Sequence, residues 1–164
     1  MATNDYAFVT RWRVPGSVEE VSDIFADTAS LARWWSDVYL DVRILEPGDD
    51  GGLGRLVRLR TKGRLPYELR WTFRIVESRR PHGFTLQASG DFDGRGTWVF
   101  EQDGPYVNAT FEWRVRADKP LLRSVSFLFK PLFAWNHRWA MARGEAGLRR
   151  ELERRRRDSG GADL

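Results

Sequence analysis

The chain has 164 residues and a mass of 19.1 kDa, the size of one ordinary domain. Its hydrophobic fraction of 41% excludes a disordered chain, and no stretch approaches the roughly 18 consecutive apolar residues of a membrane span. Cysteine is absent and His82 and His137 are the only histidines, which excludes disulfides, iron–sulfur clusters and thiolate- or histidine-rich metal sites. The net charge is +4.

The first predicted elements are a strand and two short helices. Aromatic and β-branched residues alternate roughly with arginines over residues 5–14, which predicts a strand. Ser17 and Glu20 then have the spacing of a capping box, so we expect a helix over residues 18–27. A second short helix is predicted over residues 28–35.

From residue 38 onward the pattern changes from helical spacing to alternation. The clearest segment, residues 65–75, has six apolar side chains at every second position and polar side chains between them. Glycine- and proline-containing turns separate the alternating segments. Six further strands are predicted, over residues 38–44, 53–62, 65–75, 84–88, 97–101 and 107–115.

After Pro120 the spacing of the apolar residues is helical again, to about Arg157. Pro131 is expected to kink or divide this long helix. We therefore predict a single domain over residues 1–157 and a disordered C-terminal tail over residues 158–164.

This order of elements predicts an α+β fold. A curved seven-stranded antiparallel sheet would wrap on the long C-terminal helix, with the two short helices after the first strand. One helix about 10 Å wide cannot cover seven strands spaced about 4.8 Å apart. The inner surface is therefore either filled by its own large rings or left as an apolar cavity of roughly 300 Å³ or more, and the sequence leaves both open.

Four stretches of the chain resemble a known superfamily. They are PGSVEEV at 15–21, LARWW at 31–35, SGDFDG at 89–94 followed by Trp98, and the helical pattern from Asn136 to Leu148. Together with the order of elements, they are similar to the START/Bet v 1-like (SRPBCC) superfamily, of the polyketide cyclase/dehydrase and lipid transport type. The resemblance covers residues 5–153.

The resemblance implies a helix-grip fold and two classes of function. The first is binding or carrying a hydrophobic small molecule, such as a lipid, an aromatic polyketide-like compound or an isoprenoid, in an apolar cavity between sheet and C-terminal helix. The alternative is a polyketide cyclase, aromatase or dehydratase acting in the same cavity. The sequence offers no convergent acid–base set that decides for an enzyme, so we favour binding.

The candidate site consists of the large side chains predicted on the inner face. His137 is the one weak catalytic candidate, because a histidine beside an apolar stripe could act as an acid or base near neutral pH. Trp34 and Trp35 could contact ligand at the cavity mouth or serve as a structural plug. The predicted ligand-binding residues are Trp34, Trp35, Tyr67, Trp71, Phe73, Trp98, Phe111, Trp113, Phe129, Phe133, His137 and Met141. We predict no metal and no cofactor.

The positive charge lies at one end of the chain. Residues 149–157 contain six arginines and two glutamates, which accounts for the whole net charge of +4. We expect this run to form the solvated last turns of the helix, with an anionic surface as the less favoured partner, and we expect no nucleic acid partner. No secretory signal is recognisable at the N-terminus, so a cytoplasmic location is expected. The oligomeric state stays open.

Overall fold

The computed structural model describes residues 5–117 and 120–161, and the side chains among these except at 117–129. Within these residues, three α-helices and seven strands follow one another, and a single 3-10 turn at Thr28–Ser30 precedes the second helix. They are β1 (Asp5–Pro15), α1 (Val18–Ala26), α2 (Leu31–Trp34), β2 (Tyr39–Glu46), β3 (Leu56–Lys62), β4 (Glu68–Ser78), β5 (Gly83–Gly90), β6 (Phe92–Asp103), β7 (Tyr106–Ala117) and α3 (Pro120–Gly161).

The strands form one antiparallel sheet in the order β1-β7-β6-β5-β4-β3-β2. The sheet curves around α3, and α1 and α2 lie between β1 and β2 in the chain, so the predicted helix-grip architecture is confirmed. The capping box is also confirmed: the Glu20 backbone N–H donates to Ser17 Oγ at 3.1 Å, and the Ser17 N–H donates to the Glu20 carboxylate at 3.0 Å.

Several boundaries differ from the predicted ones. β3 and β4 each begin three residues later than predicted, at Leu56 and Glu68, and β4 continues to Ser78. β6 begins at Phe92 rather than residue 97, because Gly94 and Gly96 allow β7 to approach so closely that a Cβ would collide with it. α3 continues through Pro131 instead of being divided there. It also runs to Gly161, past the predicted domain end at residue 157, and the remainder of the predicted tail lies outside the described residues.

The second half of α3 packs closely against the end of α2. A Cβ on Gly147 would collide with the Trp34 carbonyl oxygen, and one on Gly144 would collide with the rings of Trp35 and Trp12. These glycines therefore determine how closely α3 approaches the tryptophans, because the interior is too closely packed to accommodate an added methyl group.

The sheet ends at two edge strands, β1 and β2, among the described residues. The register of β2 against β3 shifts twice, between Tyr39 and Asp41 and between Ile44 and Glu46. Ile44 is exposed on this edge. β2 is therefore an irregular edge rather than a straight one.

The packing at Gly147 generates the first prediction. Gly147→Ala should lower the free energy of unfolding by about 2 kcal/mol or more, because the methyl group meets backbone that cannot rotate away. Gly160→Ala is the matched control, since a Cβ there meets nothing within 4 Å. It should leave stability unchanged or raise it by up to about 1 kcal/mol. Urea unfolding checks both, and equal stabilities for the two variants would contradict the close approach.

Candidate functional site

A cavity of about 200 Å³ lies between the inner face of the sheet and the middle of α3. Strand alternation places one side chain in two toward this space, and on β4, β6 and β7 these are mostly rings. Of the predicted ligand-binding residues, those lining it are Trp35, Tyr67, Trp71, Phe73, Trp98, Phe111, Trp113, Phe133, His137 and Met141. Rings therefore fill part of the inner surface and leave a cavity in the remainder.

The sheet side of the cavity is a continuous wall of packed rings. The Trp98 and Phe111 rings stack with centroids 4.6 Å apart, and Phe111 stacks on Trp113 at 5.6 Å. Trp71 tilts against Trp113 at 5.7 Å. Because each ring is held by its neighbours, the wall is apolar and preorganised, as the walls of small-molecule sites are.

Trp34 and Trp35 separate into two roles. Trp35 lines the cavity, and its indole N–H donates to the Ala140 carbonyl at 2.9 Å. Trp34 does not line the cavity: its buried ring stacks behind Trp35 and meets the edge of Phe25. The sequence could not choose between the two rings, because adjacent residues at a helix end have no fixed alternation. Phe129, the other predicted residue, lies outside the described side chains.

One end of the cavity is lined by hydroxyls and an imidazole. His137 stacks on Phe8 with centroids 4.2 Å apart, and its Nε2 lies 3.5 Å from Thr10 Oγ1. Burial, with a smaller contribution from the Arg138 charge, lowers the pKa of His137 to about 4. The ring is therefore neutral near pH 7, and a group with so low a pKa is a weak base.

Two tyrosines lie at this same end. Burial raises the pKa of Tyr6 to about 12, and the Tyr6 hydroxyl has no hydrogen-bond partner among the described residues. Burial, followed by the charge of Tyr6, also raises the pKa of Tyr67. Both phenols stay protonated, so this end presents neutral polar groups to a ligand. Sequence reasoning missed Tyr6, although the alternation along β1 already placed it with Phe8 and Trp12.

The opposite end of the cavity is lined by α1 and the loop before β3. Arg55 lies there with Ser22 and Thr28. Its guanidinium donates to the Ala26 carbonyl at 2.7 Å, to Thr28 Oγ1 at 3.0 Å and to the Pro47 carbonyl at 3.0 Å. Sequence reasoning missed Arg55 too, although it continues the inward positions 57, 59 and 61 by one step of two.

The arginine run is not part of the cavity lining. Its centre is Glu151, 3% exposed, whose carboxylate accepts from Arg33 at 2.5 Å, Arg154 at 2.8 Å and Arg155 at 3.0 Å. The hydrogen bond from Arg154, followed by those from the other two arginines, lowers the pKa of Glu151 to about 2. The expected solvated helix end is thus an ion-pair network, and Arg156 extends it to Glu20 at 2.8 Å.

Within the part of the chain that the structure describes, no three His, Asp or Glu side chains form a group that could hold a metal ion. No helix there is long and apolar enough to cross a membrane.

Comparison with known proteins adds a family to this geometry. A family model described as polyketide cyclase / dehydrase and lipid transport matches residues 7–153. No curated protein matches the sequence.

Solved structures share the fold at low sequence identity. The Zhui aromatase/cyclase from Streptomyces sp. R1128 aligns with a TM-score of 0.72 and 17% identity over 95% of this chain and 98% of that one. A protein from Thermus thermophilus gives 0.66 and 16%, over 87% and 97%. Ara h 8.0201 gives 0.58 and 12%, over 88% and 97%. At these identities the likeness shows the fold alone.

The environment of His137 generates the second prediction. Its pKa of about 4 in the folded state lies below the usual 6.5, so the unfolded chain takes up the proton first as pH falls between these values. Stability should therefore fall with pH across this window, and His137→Gln should remove on the order of 2 kcal/mol of the loss between pH 7.5 and pH 5.

Urea unfolding at the two pH values provides the measurement. His82→Gln, which replaces an exposed histidine, is the control variant. If His137→Gln has the same pH dependence as the wild type, the imidazole is solvated in the native protein and the prediction is wrong.

Proposed function

The chain belongs to the polyketide cyclase / dehydrase and lipid transport family, and from this premise we propose that it binds or carries a hydrophobic small molecule in the cavity between the sheet and α3. The ligand is a lipid, an aromatic polyketide-like compound or an isoprenoid. The observation that carries the proposal is the cavity itself, about 200 Å³ of space walled by stacked rings. Apolar concave sites with a few placed polar groups are the usual form of small-molecule sites.

The size of the cavity limits the ligand. An apolar cavity of about 150 Å³ accommodates benzene, so about 200 Å³ suits a compound of one or two rings or a short branched chain. A ligand of that size that buries about 250 Å² of apolar surface gains about 6 kcal/mol at 25 cal/mol per Å². Association costs several kcal/mol of translational and rotational freedom, so the net affinity is weaker than this burial alone would give.

The polar groups at the Tyr6 end support binding with orientation. Tyr67 and His137 line this end of the cavity and are neutral groups that can donate or accept hydrogen bonds. These groups favour a ligand that has an apolar body and at least one hydrogen-bonding oxygen.

The second candidate function is a cyclase, aromatase or dehydratase. The observation in its favour is that Tyr6, Tyr67 and His137 meet at one cavity end, where they could move protons on a poly-ketone chain. Such a reaction forms a carbon–carbon bond at a carbonyl carbon and then releases water. It needs a base with a pKa near the working pH, and a neutral imidazole with a pKa of about 4 meets this need poorly. Binding is therefore the function we favour.

A direct assay separates the two candidates. The protein is incubated with a synthetic poly-β-ketone thioester, and products are followed by mass spectrometry for the loss of one water. Binding without turnover predicts the same products at the same rate as in buffer alone. A faster loss of water that His137→Gln abolishes would establish the enzyme.

The ring wall generates the third prediction. The neutral two-ring probe 1-naphthylamine should bind saturably and quench tryptophan emission, because Trp71, Trp98 and Trp113 line the cavity. Trp113→Phe should change its dissociation constant by about threefold or more, which is about 0.65 kcal/mol. Fluorescence titration is the measurement.

Trp12→Phe is the matched control for Trp113→Phe. Trp12 is equally buried and lies on the neighbouring strand β1, but it does not line the cavity. Its replacement should leave probe affinity within about twofold. If the probe binds to neither the wild type nor the variants, and native mass spectrometry of freshly purified protein finds no bound apolar compound, the proposal fails.

A further inference from the structure

Arg55 is an inward-facing charged residue on a strand face that is otherwise uncharged. The Ile75 N–H donates to the Arg55 carbonyl at 2.9 Å, so β3 pairing with β4 extends one step beyond Leu56. The positions facing the cavity side are therefore Arg55, Val57, Leu59 and Thr61, of which the last three are buried. A guanidinium thus stands at one end of this face and a hydroxyl at the other.

The partners of Arg55 do not neutralise it. Its Nε and Nη1 donate to two backbone carbonyls and the Thr28 hydroxyl, all of them uncharged. Among the described residues, no carboxylate forms an ion pair with it, and its Nη2 has no hydrogen-bond partner. The guanidinium keeps its full charge in a half-buried position and has two N–H donors to spare.

The neighbouring arginine is different. Arg80 also lines this end of the cavity, but its guanidinium pairs with Asp23 at 2.9 Å. The two charges of this pair cancel, and both side chains are exposed to solvent. Among the residues that line this end of the cavity, Arg55 is therefore the one charged side chain without a charged partner.

We propose that Arg55 forms an anion subsite at the α1 end of the cavity, and that the ligand is an amphipathic carboxylate whose apolar body lies against the ring wall. A carboxylate would accept hydrogen bonds from Nη2 and would neutralise the positive charge of Arg55. Charge-assisted bonds of this kind are about twice as strong as neutral ones, and the apolar wall strengthens them further. The inference rests on the proposed binding function and specifies its ligand class.

The test compares two ligands of the same shape. Naphthalene-2-carboxylate and naphthalene-2-carboxamide are each used to displace 1-naphthylamine at pH 7.5. The wild type should bind the carboxylate at least about tenfold more tightly, which is about 1.4 kcal/mol. Arg55→Gln should bring the two affinities within about threefold and leave that of the amide unchanged.

Arg58→Gln is the control variant, because Arg58 lies on the outer, exposed side of the same strand. It should keep the wild-type preference. If Arg58→Gln abolishes the preference as Arg55→Gln does, the effect comes from the overall charge of the protein and the assignment to Arg55 is wrong.

A measurement on the wild type covers the case in which Arg55→Gln does not fold. The carboxyl group of naphthalene-2-carboxylate is labelled with ¹³C, and its shift is followed against pH in the complex. A nearby guanidinium should lower the bound pKa by about one unit relative to free ligand. A bound pKa equal to or above the free value overturns the anion subsite.

The outcomes also separate this inference from the proposal on which it rests. If the amide and the neutral probe bind and the carboxylate binds no more tightly than the amide, the cavity binds ligands but Arg55 is not an anion subsite. If neither compound nor the probe binds, both proposals fail together.

Discussion

The fold depends on how closely α3 lies against the Trp34-Trp35 corner. Gly144 and Gly147 bring the helix into contact there, where any side chain would collide. The part of α3 before these glycines, from Phe133 to Met141, instead faces the cavity. Close contact in the second half of the helix and a larger separation in the first half leave the cavity between helix and sheet, while the corner stays closely packed.

The charged end of α3 holds this arrangement in place. Glu151 is buried among arginines of α2 and α3, and Arg155 and Arg156 continue to Asp27 and Glu20 around α1. Single exposed ion pairs contribute little, but a network built on a buried carboxylate fixes geometry, since breaking it leaves a charge without a partner. The charged residues at 149–157 thus connect α3 to α1 and α2 through ion pairs.

Sequence patterns predicted the fold and part of the site for physical reasons. Strict alternation requires a strand, and the alternation over residues 65–75 predicted β4, although this strand begins only at Glu68. The same rule placed Trp71 and Trp113 inward. The rule failed where glycine removes the side chain that would show it, as in the first half of β6 at Gly94 and Gly96. Arg55 was missed because it follows a glycine-rich turn and its charge conceals an inward position.

The edge strand β2 has a consequence for the protein in concentrated solution. A straight, apolar edge offers unpaired N–H and C=O groups on which a second copy can add a strand, and this is a route to fibrils. β2 departs from its register twice, and Asp41 and Arg43 form an ion pair on it at 3.1 Å. Ile44 and Leu45 remain exposed between these interruptions. Because this edge is irregular and charged, the exposed apolar residues Ile44 and Leu45 are poorly placed to pair with a strand of a second copy.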